Sequence, residues 1–217
     1  MVHIDFDGVI LNFEQRLKEY LGEKGKTYYP DNQLSYAYDI GDLGCSKEDV
    51  YACFNEYDFF SGLQFYDGVI SSLNLLRSNG IEIHAYTSTS ENGDIYEYHR
   101  RLIKKLKMKG NPYRQKPNNF QNTKTYMQGY DSKPVVLETD ALFEDNLGII
   151  LHWMMRGANT RFYLIDKPYN RFTGELFEDI ENGTLKGIDL DKIIRVSFFE
   201  EAVIDYINKI GGSVDGE

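Results

Sequence analysis

The sequence predicts an α/β protein, a parallel sheet with helices on both faces. Three observations carry that expectation. Short apolar runs alternate with helix-period stretches of roughly 10–15 residues. The apolar runs end in turn-forming residues that also carry chemistry. One aromatic-rich stretch between the first two runs has no buried strand of its own. At 217 residues, the chain suits one domain, or one domain with a sizeable insertion.

Taken in order, Val2 to Asp5 reads as a strand feeding the tight turn Asp5-Phe6-Asp7-Gly8. Phe13, Leu17, Tyr20 and Leu21 recur at helical spacing. Ser46 precedes Asp49 by three, the pattern of a capping box, and Val50, Cys53, Phe54 and Tyr57 continue that helix. Asp67 opens a helix with Val69, Ile70, Leu73 and Leu76 on one face, closed by Asn79-Gly80. Ile81 to Tyr86 alternates as a strand. Ile95, Tyr98, Leu102, Ile103 and Leu106 mark a helix ending near Gly110. The Asn-, Gln- and Pro-rich stretch 111–130 reads as a surface loop. Val135 to Phe143 is apolar with a polar break at Glu138 to Asp140. A buried helix from Ile149 to Met155, a strand from Phe162 to Ile165, an edge strand from Ile193 to Val196 and a last helix from Phe199 to Ile210 complete the chain. The expected division is a core of residues 1–13 and 67–217 and a helical cap inserted as residues 14–66.

The charge balance, 24 basic against 34 acidic residues for a net of −10, argues against general nucleic-acid binding, which needs a basic surface. Small anionic substrates stay open, because a bound cation reverses the local field. No apolar run spans a bilayer. Met1-Val2-His3-Ile4-Asp5 has no secretory pattern, and Cys45 and Cys53 make no disulfide framework. The expectation is a soluble protein of a reducing, cytoplasmic compartment. Its oligomeric state stays open, a homodimer included.

In an open parallel sheet, ligands bind beyond the carboxyl ends of the strands. The first run delivers Asp5 and Asp7 there, and the second delivers Thr87 and Ser88. Later come Lys133, Asp140 and the pair Glu144-Asp145. Carboxylates gathered at one edge repel one another, and a hard divalent cation with oxygen ligands, Mg²⁺ foremost, relieves that repulsion.

Asp5-Phe6-Asp7-Gly8-Val9 resembles the first motif of the haloacid-dehalogenase superfamily of phosphotransferases. Thr87 is similar to its second motif, Lys133 to its third, and Thr139 to Asp145 to its fourth, an acid followed four and five residues later by two more. The four come in the family's order. Phe59-Phe60-Ser61-Gly62-Leu63, Thr87-Ser88, Asp131-Ser132-Lys133 and Asp166-Lys167-Pro168-Tyr169-Asn170 resemble the 5′(3′)-deoxyribonucleotidases in particular. The resemblance implies a three-layered, Rossmann-like core. It implies Mg²⁺-dependent hydrolysis of a small-molecule phosphomonoester, a nucleoside monophosphate, through an aspartyl-phosphate. Asp5 would be nucleophile, Asp7 acid and base, and Thr87, Ser88 and Lys133 the phosphate-binding groups. Asp5, the Asp7 carbonyl, Asp145 and, through water, Glu144 would hold the metal. Asp140 would buttress the loop or Lys133.

Other readings stand beside these. A phosphatase for sugar phosphates or polynucleotide ends fits the same motifs, as does a silent binding domain. Phe59 and Phe60 suit either a nucleobase pocket or the core of the cap, and Tyr28, Tyr29, Tyr36 and Tyr38 share that ambiguity. Lys124 rivals Lys133. The basic stretch 100–116 suits a solvated helix face or contact with a phosphate. Gly25-Lys26-Thr27 looks like the end of a phosphate loop, but Tyr20 stands where its first glycine belongs.

Overall fold

The computed structural model describes residues 1–29, 44–89, 92–114, 133–172 and 174–213. Tyr36, Tyr38, Lys116, Lys124 and most of the expected loop 111–130 lie outside them.

Five parallel strands form the main sheet: β1 (Val2–Ile4), β2 (Ile83–Ala85), β5 (Ala141–Glu144), β6 (Arg161–Ile165) and β7 (Ile193–Val196), in the order β2-β1-β5-β6-β7. β1 is internal: Val2 faces Ile83 on one side and Ala141 on the other. β7 is the expected edge strand. The two residues Ser88–Thr89 (β3) pair in parallel with Tyr113–Arg114 (β4) in a small second sheet.

Side chains alternate across the sheet and feed two cores, so the molecule has three layers. On one face Val2, Ile4, Phe143, Tyr163 and Ile165 pack with α4 (Val69–Ser78), α5 (Gly93–Lys105) and α8 (Phe199–Lys209). On the other, Leu142, Phe162 and Leu164 pack under α6 (Leu147–Met155) and α7 (Gly174–Glu181). α6 is apolar nearly all round because it lies fully inside that second core. Asn146 caps it, its side chain accepting from the Ile149 amide at 3.1 Å.

Between β1 and β2 run α1 (Phe13–Glu23), α2 (Lys47–Cys53) and α3 (Tyr57–Ser61). The Ser46–Asp49 capping box forms, with both reciprocal bonds made. Entry and exit of this stretch lie side by side. The Asn12 amide donates to Gln64 at 2.8 Å, the Tyr66 amide donates to Ile10 at 3.1 Å, and Leu11 bridges Phe65.

Several details differ from expectation: the helix expected to continue through Phe54 and Tyr57 ends at Cys53, and Tyr57 opens the separate α3. The helix expected from Asp67 begins at Val69, and Ile70 is 49% exposed while Ser72 is buried. Positions 69, 72, 73 and 76 share one helical face, and Ile70 lies about 100° round from Val69. α7, with its charged composition, had no expected counterpart.

Candidate active site

β1 delivers Asp5 to the carboxyl edge, where the chain turns at once. The amides of Ile10 and Leu11 both donate to the Phe6 carbonyl, at 2.9 and 2.8 Å, and Gly8 donates to Leu11 at 3.0 Å. This tight loop folds Asp7 back over the strand end. It also explains Gly8. Its φ is +77°, a left-handed conformation that side chains resist, and a Cβ there would fall on the Asp145 carboxylate, 2.7 Å from Cγ and 3.0 Å from the Tyr169 hydroxyl.

β5, hydrogen-bonded beside β1, delivers Glu144 and Asp145 to the same edge. One carboxylate oxygen each from Asp5, Glu144 and Asp145 can be chosen so that all three lie within 4.8 Å of one another, and all three residues are buried. Lys133 completes the cluster. Its buried ammonium pairs with Asp5 at 2.7 Å and Glu144 at 2.9 Å, and lies 4.9 Å from the centre of the Tyr86 ring. Tyr86 is fixed in turn. Its hydroxyl accepts from the Trp153 indole at 2.7 Å and donates to the Pro134 carbonyl at 2.9 Å.

The electrostatics follow from burial. Burial works against the charge of Lys133, but Asp5 and then Glu144 outweigh it, and its pKa is held above the usual ammonium range. The acids move upward. Burial, then Asp5 and Asp145, raise Asp7 well above the carboxylate range, against Lys133. Burial, then Asp5, raise Glu144 likewise. Asp145 rises to about 6, from burial and Asp5, against the Tyr169 hydrogen bond and the charges of Lys167 and Lys133. One ammonium tied to two carboxylates leaves the other acids only partly compensated.

A hard divalent cation fits this donor set. Every candidate ligand is oxygen, and Asp7 Oδ1 is shut away from solvent with no hydrogen-bond partner among the described residues. Glu144 has its oxygens occupied, Oε2 by Lys133 and Oε1 by the Asn146 amide at 3.1 Å. Asp145 is steered by the loop after β6. The Tyr169 hydroxyl donates to its carboxylate, and the Asn170 amide group donates to its carbonyl at 2.9 Å and to Ile165 at 2.7 Å.

Thr87 directly follows the strand residue Ala85 and Tyr86 and is fully buried; its hydroxyl donates to the Ser88 carbonyl at 3.3 Å. Its own carbonyl accepts from the Tyr113 amide at 2.9 Å, which ties the position to β4. Ser88 is half-buried.

Three expectations change at this stage. Asp140 lies at the amino end of β5, away from the cluster, and pairs with the N-terminal ammonium. In a parallel sheet, a residue just before a strand and one just after it lie at opposite edges, so Asp140 cannot share a site with Asp145. It buttresses neither the loop nor Lys133. Phe59 is fully buried and Phe60 is 4% exposed. The Phe59 ring packs edge-on against Phe13 and Tyr20, and the Phe60 ring against His99. A base could stack on either ring only after it was uncovered. The loop after β6 contributes more than its sequence suggested. Tyr169 and Asn170 hold Asp145, and the ammonium of Lys167 accompanies them; the Pro168 turn ahead of two polar residues was the available signal.

Of the basic stretch, Arg100 pairs with Glu97 at 3.2 Å, Lys109 pairs with Glu82, and the Arg114 guanidinium lies 4.7 Å from the Tyr96 ring centre. Among the described residues, no helix is long and apolar enough to cross a membrane.

No family model matches the chain. No curated protein matches it. Among solved structures, the chain is similar to a haloacid dehalogenase-like hydrolase from Streptococcus pneumoniae, with 14% identity, coverage of 95% of this chain and 97% of that one, and a TM-score of 0.48. It is similar to a HAD hydrolase of family IA, variant 3, from Entamoeba histolytica, with 18% identity, 95% and 98% coverage and a TM-score of 0.43. It is also similar to a HAD family hydrolase from Deinococcus radiodurans solved with bound phosphate and sodium, with 17% identity, 97% and 95% coverage and a TM-score of 0.46. Likenesses at this level leave the chemistry to be read from the side chains of the chain itself.

Proposed function

We propose that this protein is a metal-dependent phosphomonoesterase, with Asp5 as nucleophile. The observation that carries the reading is the buried cluster of Asp5, Glu144 and Asp145 bridged by Lys133, at the carboxyl edge of a parallel sheet. A silent binding domain has no need of it.

Asp5 attacks phosphorus through a carboxylate oxygen, and the bond from phosphorus to the ester oxygen breaks. Asp7 gives its proton to the departing alkoxide. Its raised pKa suits it to hold that proton beforehand. In the second step, Asp7 takes a proton from water, which attacks the aspartyl-phosphate and releases inorganic phosphate and Asp5. Lys133 keeps Asp5 oriented and offsets charge on the phosphoryl oxygens, with Thr87 and Ser88 as further donors. Asp5, Asp145 and the Asp7 carbonyl would hold the cation, with Glu144 beside them anchoring Lys133. When bound, a divalent cation such as Mg²⁺ would offset charge on the phosphoryl group.

The substrate on this reading is a nucleoside monophosphate, a deoxyribonucleotide foremost. The segments Asp166 to Asn170 and Thr87-Ser88 support it by resemblance. The stretch 14–66 acts as the cap that chooses the leaving group. Tyr66, at its exit, is close enough to Asp7 and Asp145 to feel their charge, and Tyr98 is close enough to Asp7.

A panel of nucleoside 5′- and 3′-monophosphates, sugar phosphates, a 5′-phosphorylated oligonucleotide and an aryl phosphate tests both levels. Turnover is expected with Mg²⁺ and none with chelator. Full activity in chelator overturns the metal-dependent reading. Preference for sugar phosphates over every nucleotide overturns the substrate.

A further inference from the structure

Lys167 is a buried cation whose position the chemistry above does not use. It stands just beyond the carboxyl end of β6, the strand next to β5, so its loop flanks the one that carries Asp145. Its ammonium donates to the Tyr66 hydroxyl at 2.8 Å and sits 4.6 Å from the centre of that ring. It forms no ion pair with any carboxylate among the described residues. Lys133 is the contrast, with two carboxylates on one ammonium. A buried ammonium has three donors to satisfy, and among the described residues Lys167 spends one, on a neutral hydroxyl.

Its surroundings say what fills the remainder. Lys167 acts on the charge of Asp145, and Tyr66 lies within electrostatic reach of Glu14, Asp145 and Asp7. The pair therefore borders the site on the side of the insertion. Tyr66 is anchored by its amide to Ile10, in the same loop that carries Asp7. The Lys167 amide donates to the Asn170 side chain at 3.1 Å, and Asn170 also holds the Asp145 carbonyl. Both members of the pair are thus fixed to the backbone that fixes the acids. With a divalent ion and Lys133, a phosphate dianion would still enter a site crowded with carboxylates. A second fixed cation lowers that cost.

We propose that Lys167, aimed by the Tyr66 hydroxyl, is a second anion-binding point that takes a phosphoryl oxygen, in the ester and in released inorganic phosphate. The inference rests on the phosphatase reading for its substrate and on the loop after β6 for its geometry.

Titration calorimetry with inorganic phosphate in Mg²⁺ and steady-state kinetics on an aryl phosphate test it in the full chain. Lys167→Gln is expected to weaken phosphate binding about tenfold or more and to raise KM by a similar factor, with kcat falling less. Lys167→Arg should recover part of the affinity. Tyr66→Phe, which keeps the ring, should weaken phosphate about threefold by releasing the ammonium. Phosphate affinity within twofold of wild type in Lys167→Gln overturns the proposal. If that variant fails to fold, unchanged affinity in Tyr66→Phe does so. A wild type that binds phosphate through Lys167 but hydrolyses no ester would sink the phosphatase reading and leave this inference standing. Turnover indifferent to both substitutions would do the reverse.

Discussion

Gly8→Ala adds one carbon at the tightest of the described glycines. That carbon would lie 2.7 Å from Asp145 Cγ, where carbons at rest need about 3.5 Å or more, and 3.0 Å from the Tyr169 hydroxyl. Asp145 must therefore retreat by roughly 1 Å or the loop must lift Asp7. The φ of +77° adds strain of about 1–2 kcal/mol for a side chain, partly offset by about 0.4–1 kcal/mol from a stiffer unfolded chain. Strain and offset leave about 1 kcal/mol, and the overlap with Asp145 adds about 1–3 kcal/mol, so the net loss is about 2–4 kcal/mol, or a fall in Tm of roughly 4–16 °C for a chain of this size. The loss of activity should be far larger. A displacement of about 1 Å in a catalytic group costs on the order of 100-fold, and here it strikes a proposed metal ligand and the acid together. Thermal melts, calorimetric titration with Mg²⁺ and kcat/KM on an aryl phosphate separate the two effects. Wild-type metal affinity and turnover in a folded Gly8→Ala would refute the assignment of Asp145 and the close approach on which it rests.

Asp5→Asn should remove nearly all turnover, since a carboxamide is a poor nucleophile, while Asp7→Asn should slow both steps and leave metal binding in place; near wild-type kinetics for Asp5→Asn would overturn the nucleophile. Phe59→Ala should cost about 3–5 kcal/mol by opening a cavity beside Phe13 and Tyr20. Its KM should shift alike for nucleotide and aryl phosphate, and a rise confined to nucleotides in a stable variant would restore the base-stacking role. Burial pushes His3 and His99 down to about 4, against an ordinary 6.5. Between those values the unfolded chain binds the extra protons, so their contribution is complete above pH 6.5 and is lost as pH falls toward 4. The urea midpoint of wild type should keep a constant offset from that of His99→Phe above pH 6.5 and fall relative to it as pH drops from 6.5 toward 4; parallel curves throughout would show that His99 takes no part.

The fold was legible where burial forces a period. β1, β5 and β6 read as apolar runs because both faces of the sheet are covered, and α6 because it is enclosed. The cluster at the carboxyl edge was legible for a related reason. Asp5, Glu144 and Asp145 each end or follow such a run, and parallel strands bring such ends together. Asp140 misled because its spacing suits the fourth motif while its position, just before the strand, puts it at the other edge. Phe59 and Phe60 were ambiguous because ring chemistry is the same in a pocket and in a core, and only packing distinguishes them. The pairing of Tyr66 with Lys167 spans 101 positions and leaves no local trace.

The strand order bears on how the chain reaches this state. β1 comes ahead of both its neighbours in the chain, residues 83–85 and 141–144. Closing loops of that length carries an entropic cost before any contact rewards it, and such topologies fold slowly. Until β5 is made, the strand behind Asp5 would lack its partner on that edge. An exposed strand edge is a template for pairing with a neighbouring chain. Nascent chains halted before residue 141 should therefore aggregate or recruit chaperones, while chains extended past β6 should not. The strand that leads into the proposed nucleophile is thus also one whose pairing must wait for distant segments.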